Sequence, residues 1–203
     1  MKTFLTLTCL ALACQAAIGQ ESFANRITAG VSIVSAQGDY RDFTANPLGF
    51  GFEVTCDITR DSEQALNFRG FLSYFMVGGK YREVFDTSFS LNGMSLGADV
   101  TFKTPSDKVV PYAGIFMTSW SASHDGLGNL LERQVEFDSD PKLGFRFGVD
   151  YSVTQHIIVG ANFSMSEWRS HRDYAANPSN ALVVKGFNPV NPSWINITGR
   201  WRF

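Results

Sequence analysis

Long apolar runs are missing from almost all of this sequence. Beyond the first twenty of its 203 residues, nothing approaches the roughly 18 consecutive apolar residues that a transmembrane helix needs. Cysteine is scarce: Cys9 and Cys14 fall in the opening segment, which leaves Cys56 alone. One thiol cannot form an internal disulfide, so the fold needs another source of stability. Histidine occurs only at His124, His156 and His171, and no Cys/His ligand spacing or phosphate-binding glycine loop is present. No metal and no cofactor are expected. A net charge of −2 without a basic cluster removes nucleic acid as a partner.

What is present begins with "MKTFLTLTCLALACQAAIGQ", in which Lys2 precedes an apolar run from Phe4 to Ile18 and a small-residue exit. That is the pattern of a secretory signal peptide. Ala17 and Gly19 favour a cut after Gly19, so residues 1–19 are read as a leader and 20–203 as one exported domain. Without an apolar helix, such a domain crosses a membrane only as a closed barrel, which satisfies its own backbone hydrogen bonds.

Alternation of period two then recurs in seven segments, the signature of half-apolar strands, and an eighth segment is strand-like by composition. "RITAGVSIVS", "GFGFEVTCDI", "LNFRGFLSYFM", "MSLGADVTFK", "KLGFRFGVDY", "HIIVGANFSMS" and the final "SWINITGRWRF" each set an apolar face against a polar one. "VVPYAGIFMTSW" is strand-like but apolar on both faces, and alternation does not orient it. The polar faces carry Glu53, Asp57, Arg69, Asp99, Lys103, Arg146, Asp150, Arg200 and Arg202 among glycines and serines. That mixed set can neutralise itself in an enclosed space. Pairing Glu53 with Arg69 keeps Val54 opposite Phe68 and Cys56 opposite Leu66, so this register is expected for the first tight hairpin.

The connections alternate too. Residues 36–49, 78–93, 121–140 and 169–192 form long polar loops, whereas 59–64, 104–107 and 153–155 are tight turns. Aromatic residues cluster at strand ends: Phe102, Tyr151, Trp201 and Phe203 near the turns, Phe50, Tyr74, Trp168 and Trp194 near the loops. Two such belts suit the two headgroup levels of a bilayer.

With this strand rhythm, "VVPYAGI" and the ending "WRF", the chain resembles the small eight-stranded outer-membrane barrels: the membrane domain of outer membrane protein A, outer membrane protein X and the opacity proteins. The resemblance implies an all-β, eight-stranded antiparallel up-and-down transmembrane β-barrel in the bacterial outer membrane, surrounded by lipopolysaccharide and phospholipid. It also implies that Ile195, Ile197, Trp201 and Phe203 form the C-terminal signal read by the barrel-assembly machinery.

A barrel of eight strands is just wide enough for its own side chains to fill. Glu53, Arg69, Asp99, Arg146, Asp150 and Arg200 are therefore expected to plug the lumen as a charge network. The function expected is surface interaction of an adhesion-like kind through the long loops, by a monomer with an unidentified partner and no catalytic residues. Two alternatives stand beside it. One is a lipid-modifying acyl hydrolase; the lipid A deacylases resemble the chain in size but carry a His and a Ser two apart on one strand face, and no His here has a Ser at that spacing. "SASHDG" and "SHRD" offer only sequence-adjacent Ser, His and Asp. The other is a soluble lipocalin-like ligand carrier, which would turn its apolar face inward.

Overall fold

A computed structural model describes residues 23–37, 44–59, 64–81, 88–106, 108–125, 141–166 and 193–203. A short 3-10 turn at Phe23–Arg26 leads into eight strands: β1 Ile27–Gln37, β2 Thr44–Asp57, β3 Leu66–Tyr81, β4 Ser88–Phe102, β5 Val109–Asp125, β6 Lys142–Ser152, β7 Ile157–Ser166 and β8 Ser193–Arg202. Each pairs antiparallel with its neighbours in sequence, and β8 pairs with β1 to close the barrel. The hydrogen-bonded row from Gly30 passes Glu53, Ser73, Ser95 and Thr118 to reach Lys142. In the other direction it passes Arg200 and Ile158 to reach Ser152, ten positions further along the same strand. That stagger is what a strand tilt of roughly 40° produces on closure.

The alternation predicted for each strand is resolved by burial. Val31, Ile33, Phe50, Phe147 and Ile197 are each more than half exposed on the outer wall, while Glu53, Arg69, Asp99, Arg146, Asp150 and Arg200 are each at most 5% exposed inside it. Water would not tolerate an apolar girdle of this extent on a monomer, whereas a lipid bilayer requires one. The lipocalin-like alternative needs the reverse polarity and is overturned by this arrangement. On β5, which alternation left unoriented, Tyr112, Phe116 and Thr118 point inward and Ala113, Ile115 and Met117 outward.

Three expectations need correction. The strands run further than alternation suggested: β2 begins at Thr44, β3 continues to Tyr81, β4 begins at Ser88 and β5 continues to Asp125. Gly, Asn and Pro in "TANPLG" and "VGGKY" read locally as loop, but pairing with neighbouring strands overrides that preference. Pro47, which has no N–H for the ladder, falls where the β2–β3 register shifts between Ala45 and Leu48. The remaining loop positions, the segment 169–192 and residues 1–22 lie outside the described residues.

The first hairpin adopts a different register: Glu53 faces Ser73, Val54 faces Leu72, Cys56 faces Gly70, and Arg69 lies opposite Asp57. A slip of an even number of residues keeps both faces intact, so face-matching alone does not choose between these pairings. The turn chooses. Ile58 and Thr59 both donate their N–H groups to the Phe68 carbonyl, at 2.8 and 3.1 Å, and the Thr59 hydroxyl accepts from the Phe68 N–H at 2.7 Å.

Trp194 is the third correction. It is buried inside the barrel instead of standing in the loop-end belt. Phe50 and Tyr74 remain outside at that end, Phe102, Tyr151, Trp201 and Phe203 are exposed at the turn end, and Trp168 lies outside the described residues. If the outer wall faces hydrocarbon, Ile197→Arg should destabilise the barrel by about 2–4 kcal/mol. Urea titration of folding into liposomes measures this, and a neutral result would contradict the orientation.

Candidate functional site

Three arginines and three carboxylates meet inside the barrel, brought there by the inward positions of five strands. Arg69 on β3 donates Nη2 to Asp99 on β4 at 2.9 Å. Arg146 on β6 forks onto the same carboxylate, with Nε to Oδ1 at 2.7 Å and Nη2 to Oδ2 at 2.6 Å. Its Nη1 reaches Glu53 on β2 at 2.6 Å. Arg200 on β8 donates Nη1 to the other oxygen of Glu53 at 3.1 Å, and its Nη2 to Asp150 on β6. Asp150 returns to Arg69 at 2.5 Å. The six ion pairs thus form a closed alternating cycle, in which every arginine holds two carboxylates and every carboxylate two arginines.

Bare strand positions make that cycle possible. Gly30 on β1 lies directly between Glu53 and Arg200, Gly114 on β5 between Asp99 and Arg146, and Gly160 on β7 faces Asp150. A Cβ at Gly30 would fall 2.6 Å from Arg200 Cγ, one at Gly114 2.3 Å from Asp99 Oδ1, and one at Gly160 2.5 Å from Asp150 Oδ1 and 2.9 Å from Arg200 Nη2. Each glycine therefore lets two charged side chains meet across the strand that separates them. Arg69–Asp150 and Arg146–Glu53 span the lumen itself.

Towards the loop end the filling changes from charged to apolar. Val34, Ala36, Phe71, Phe75, Val77, Phe116 and Trp194 form one buried cluster. The Trp194 ring lies 5.3 Å from Phe75 and 5.7 Å from Phe116, and Phe71 meets Phe116 edge-on at 6.3 Å. Phe71 joins the two layers, because the Arg146 guanidinium sits 3.1 Å above its ring centroid. Arg69 lies similarly over Tyr112 at 4.4 Å. Such cation–π contacts give the guanidinium faces a partner where their edges already hold carboxylates.

The apolar layer was missed by face assignment. Its signal was the set of places where alternation failed: Phe71 and Phe75 on the polar face of their segment, the doubly apolar "VVPYAGIFMTSW", and Trp194 in line with Arg200. At the turn end, a shallow cavity of about 360 Å³ is lined by Lys108, Ser152, Val153, Thr154, Gln155 and Arg202. His156 stacks on Trp201 with ring centroids 5.2 Å apart, and its Nδ1 lies 3.1 Å from the Arg202 carbonyl. Among the described residues, no three His, Cys, Asp or Glu side chains converge as metal ligands. His124 ends up near the tip of β5 and His171 lies outside the described residues.

A closed eight-stranded barrel with charges within and an apolar girdle without is matched by one family description: residues 4–188 fit the outer membrane protein beta-barrel domain. The chain belongs to that family. It is a small eight-stranded barrel of the bacterial outer membrane. No relative is found among curated proteins. Among solved structures, the attachment invasion locus protein Ail of Yersinia pestis is similar at 16% identity, covering 88% of this chain and 97% of that one, with a TM-score of 0.51. The outer membrane enzyme PagL is similar at 11% identity, covering 87% and 99%, with a TM-score of 0.50. Neisserial surface protein A shows 20% identity over 87% and 96%, with a TM-score of 0.49. One barrel shape thus serves an enzyme and an attachment protein, and it does not by itself choose between them.

Breaking the cycle at one point leaves a buried charge uncompensated. Arg146→Met should cost about 3–5 kcal/mol, read as a lower urea midpoint in liposomes. The charge-balanced pair Arg146→Met with Glu53→Gln should lose less than the single variant. If the double variant is no better, the cycle is not what holds the lumen together.

Proposed function

We propose that this outer-membrane barrel is a closed anchor whose loops carry a non-catalytic, adhesion-like surface interaction. The observation that carries the reading is the lumen filling. A neutral ring of ion pairs under a layer of Phe71, Phe75, Phe116 and Trp194 supports a plug and argues against solute passage. A plugged barrel has its loop end left for function, and binding residues commonly sit on loops held by a rigid scaffold.

The remaining parts of the reading concern export, assembly and chemistry. Residues 1–19 act as the leader. Ile195, Ile197 and Trp201, outward and exposed on the strand that closes the barrel, and Phe203, exposed just beyond it, are offered as the signal for the assembly machinery. Membrane lipid surrounds a monomer. An acyl hydrolase would need a histidine ring beside a nucleophile; in the described contacts the His156 ring meets an indole face and a backbone carbonyl, and the Thr154 hydroxyl accepts from the His156 backbone N–H. Ail has been seen in complex with the heparin analogue sucrose octasulfate, which makes heparin the first probe to try.

The test separates loops from barrel. The purified protein in planar bilayers should show no resolvable ion conductance. Deleting 169–192 should leave a barrel that still migrates differently on gels when boiled and unboiled. The same deletion should lower binding of cells displaying the protein to immobilised heparin and surface glycoproteins. A deletion that prevents assembly would overturn the scaffold-and-loops division. Acyl release from lipid A in membranes carrying the protein, abolished by His171→Ala, would replace the reading with a hydrolase.

A further inference from the structure

One row of the inner wall combines polar groups that have no partner among the described residues. Tyr112 on β5, Gly148 on β6, Asn162 on β7 and Asn196 on β8 lie abreast as successive register partners. Gly148 contributes no side chain, so the Tyr112 ring lies across it. A Cβ there would be 2.7 Å from Tyr112 Cζ and 2.7 Å from Asn162 Cβ. The Tyr112 ring and the Asn162 side chain thereby meet over the same bare position. Asn196 Nδ2 donates to Asn162 Oδ1 at 2.9 Å, and the Ser164 hydroxyl donates to the same oxygen at 3.1 Å. That satisfies the acceptor of one amide and a donor of the other. Tyr112 Oη, Asn162 Nδ2 and Asn196 Oδ1 are buried with no protein partner among the described residues.

Buried polar atoms in folded proteins are almost always hydrogen-bonded, to protein or to ordered water. Three in one row, supplying a phenol, an amide donor and an amide acceptor, match the two to four polar partners that an internal water molecule takes. No charged ligand fits as well, because the adjoining ring already pairs every carboxylate with arginine. We propose that the Tyr112–Asn162–Asn196 row is a specific internal water site, seated where the charged layer passes into the apolar one. The Ser166 hydroxyl, also buried and without a partner among the described residues, extends the same polar strip along β7.

Nuclear magnetic resonance of the isotopically labelled protein in lipid nanodiscs tests this directly. Cross-peaks between long-lived water and the Asn162 side-chain amide protons are expected; their absence overturns the proposal. Tyr112→Phe keeps the ring over Gly148 and removes only the hydroxyl, so the barrel remains foldable. It should weaken the Asn162–water cross-peak at least twofold and lower the urea midpoint, since a satisfied group has been lost. An unchanged or higher midpoint would mean that the hydroxyl was an orphan and that no water served it.

Discussion

Everything inside this barrel answers to one constraint: hydrocarbon on the outer wall offers no hydrogen bonds and no dielectric relief. Charges must therefore be cancelled within a lumen barely wide enough for side chains. The cycle of Arg69, Asp99, Arg146, Glu53, Arg200 and Asp150 meets that demand by strict alternation of sign. Individual buried ion pairs often fail to repay their desolvation. In a closed cycle each ion has two opposite neighbours, and the planar guanidinium forks match carboxylates at both ends. Phe71 and Tyr112 cover the arginine faces, so the layer meets the apolar cluster without a bare charge at the boundary.

The glycines set which charges meet. On a cylindrical sheet, neighbouring strands already place Arg69 beside Asp99. Linking two strands along the wall across the one between them requires that strand to be bare at the crossing, and Gly30, Gly114 and Gly160 supply this. Their value lies in the missing Cβ and not in unusual backbone angles. The same device recurs above the ring, where Gly93 and Gly144 receive the ends of Phe75 and Phe116.

The architecture was legible because lipid outside and a narrow lumen inside impose the strongest two-residue alternation a sheet can have. Strand number, wall orientation and the six ring charges all follow from it. Three things did not. The hairpin register escaped because slips by an even number of residues, here four, preserve faces, and the Thr59–Phe68 bonding at the turn selects one. Strand lengths escaped because paired Gly-rich segments look like loops. The apolar layer escaped because it breaks the pattern used for reading: Phe75 and Trp194 are hydrophobic residues on the inner face. Deviations from alternation were thus the informative positions on β3, β5 and β8.

The link between Arg200 and Glu53 crosses β1, the strand that joins beginning to end. An unclosed sheet of the same strands would hold these two partners at opposite margins. The cycle of ion pairs is therefore completed only when the last seam zips. The fold is consequently indivisible in an electrical sense: half of it would not be half as stable, because each half would carry ions the other was meant to cancel.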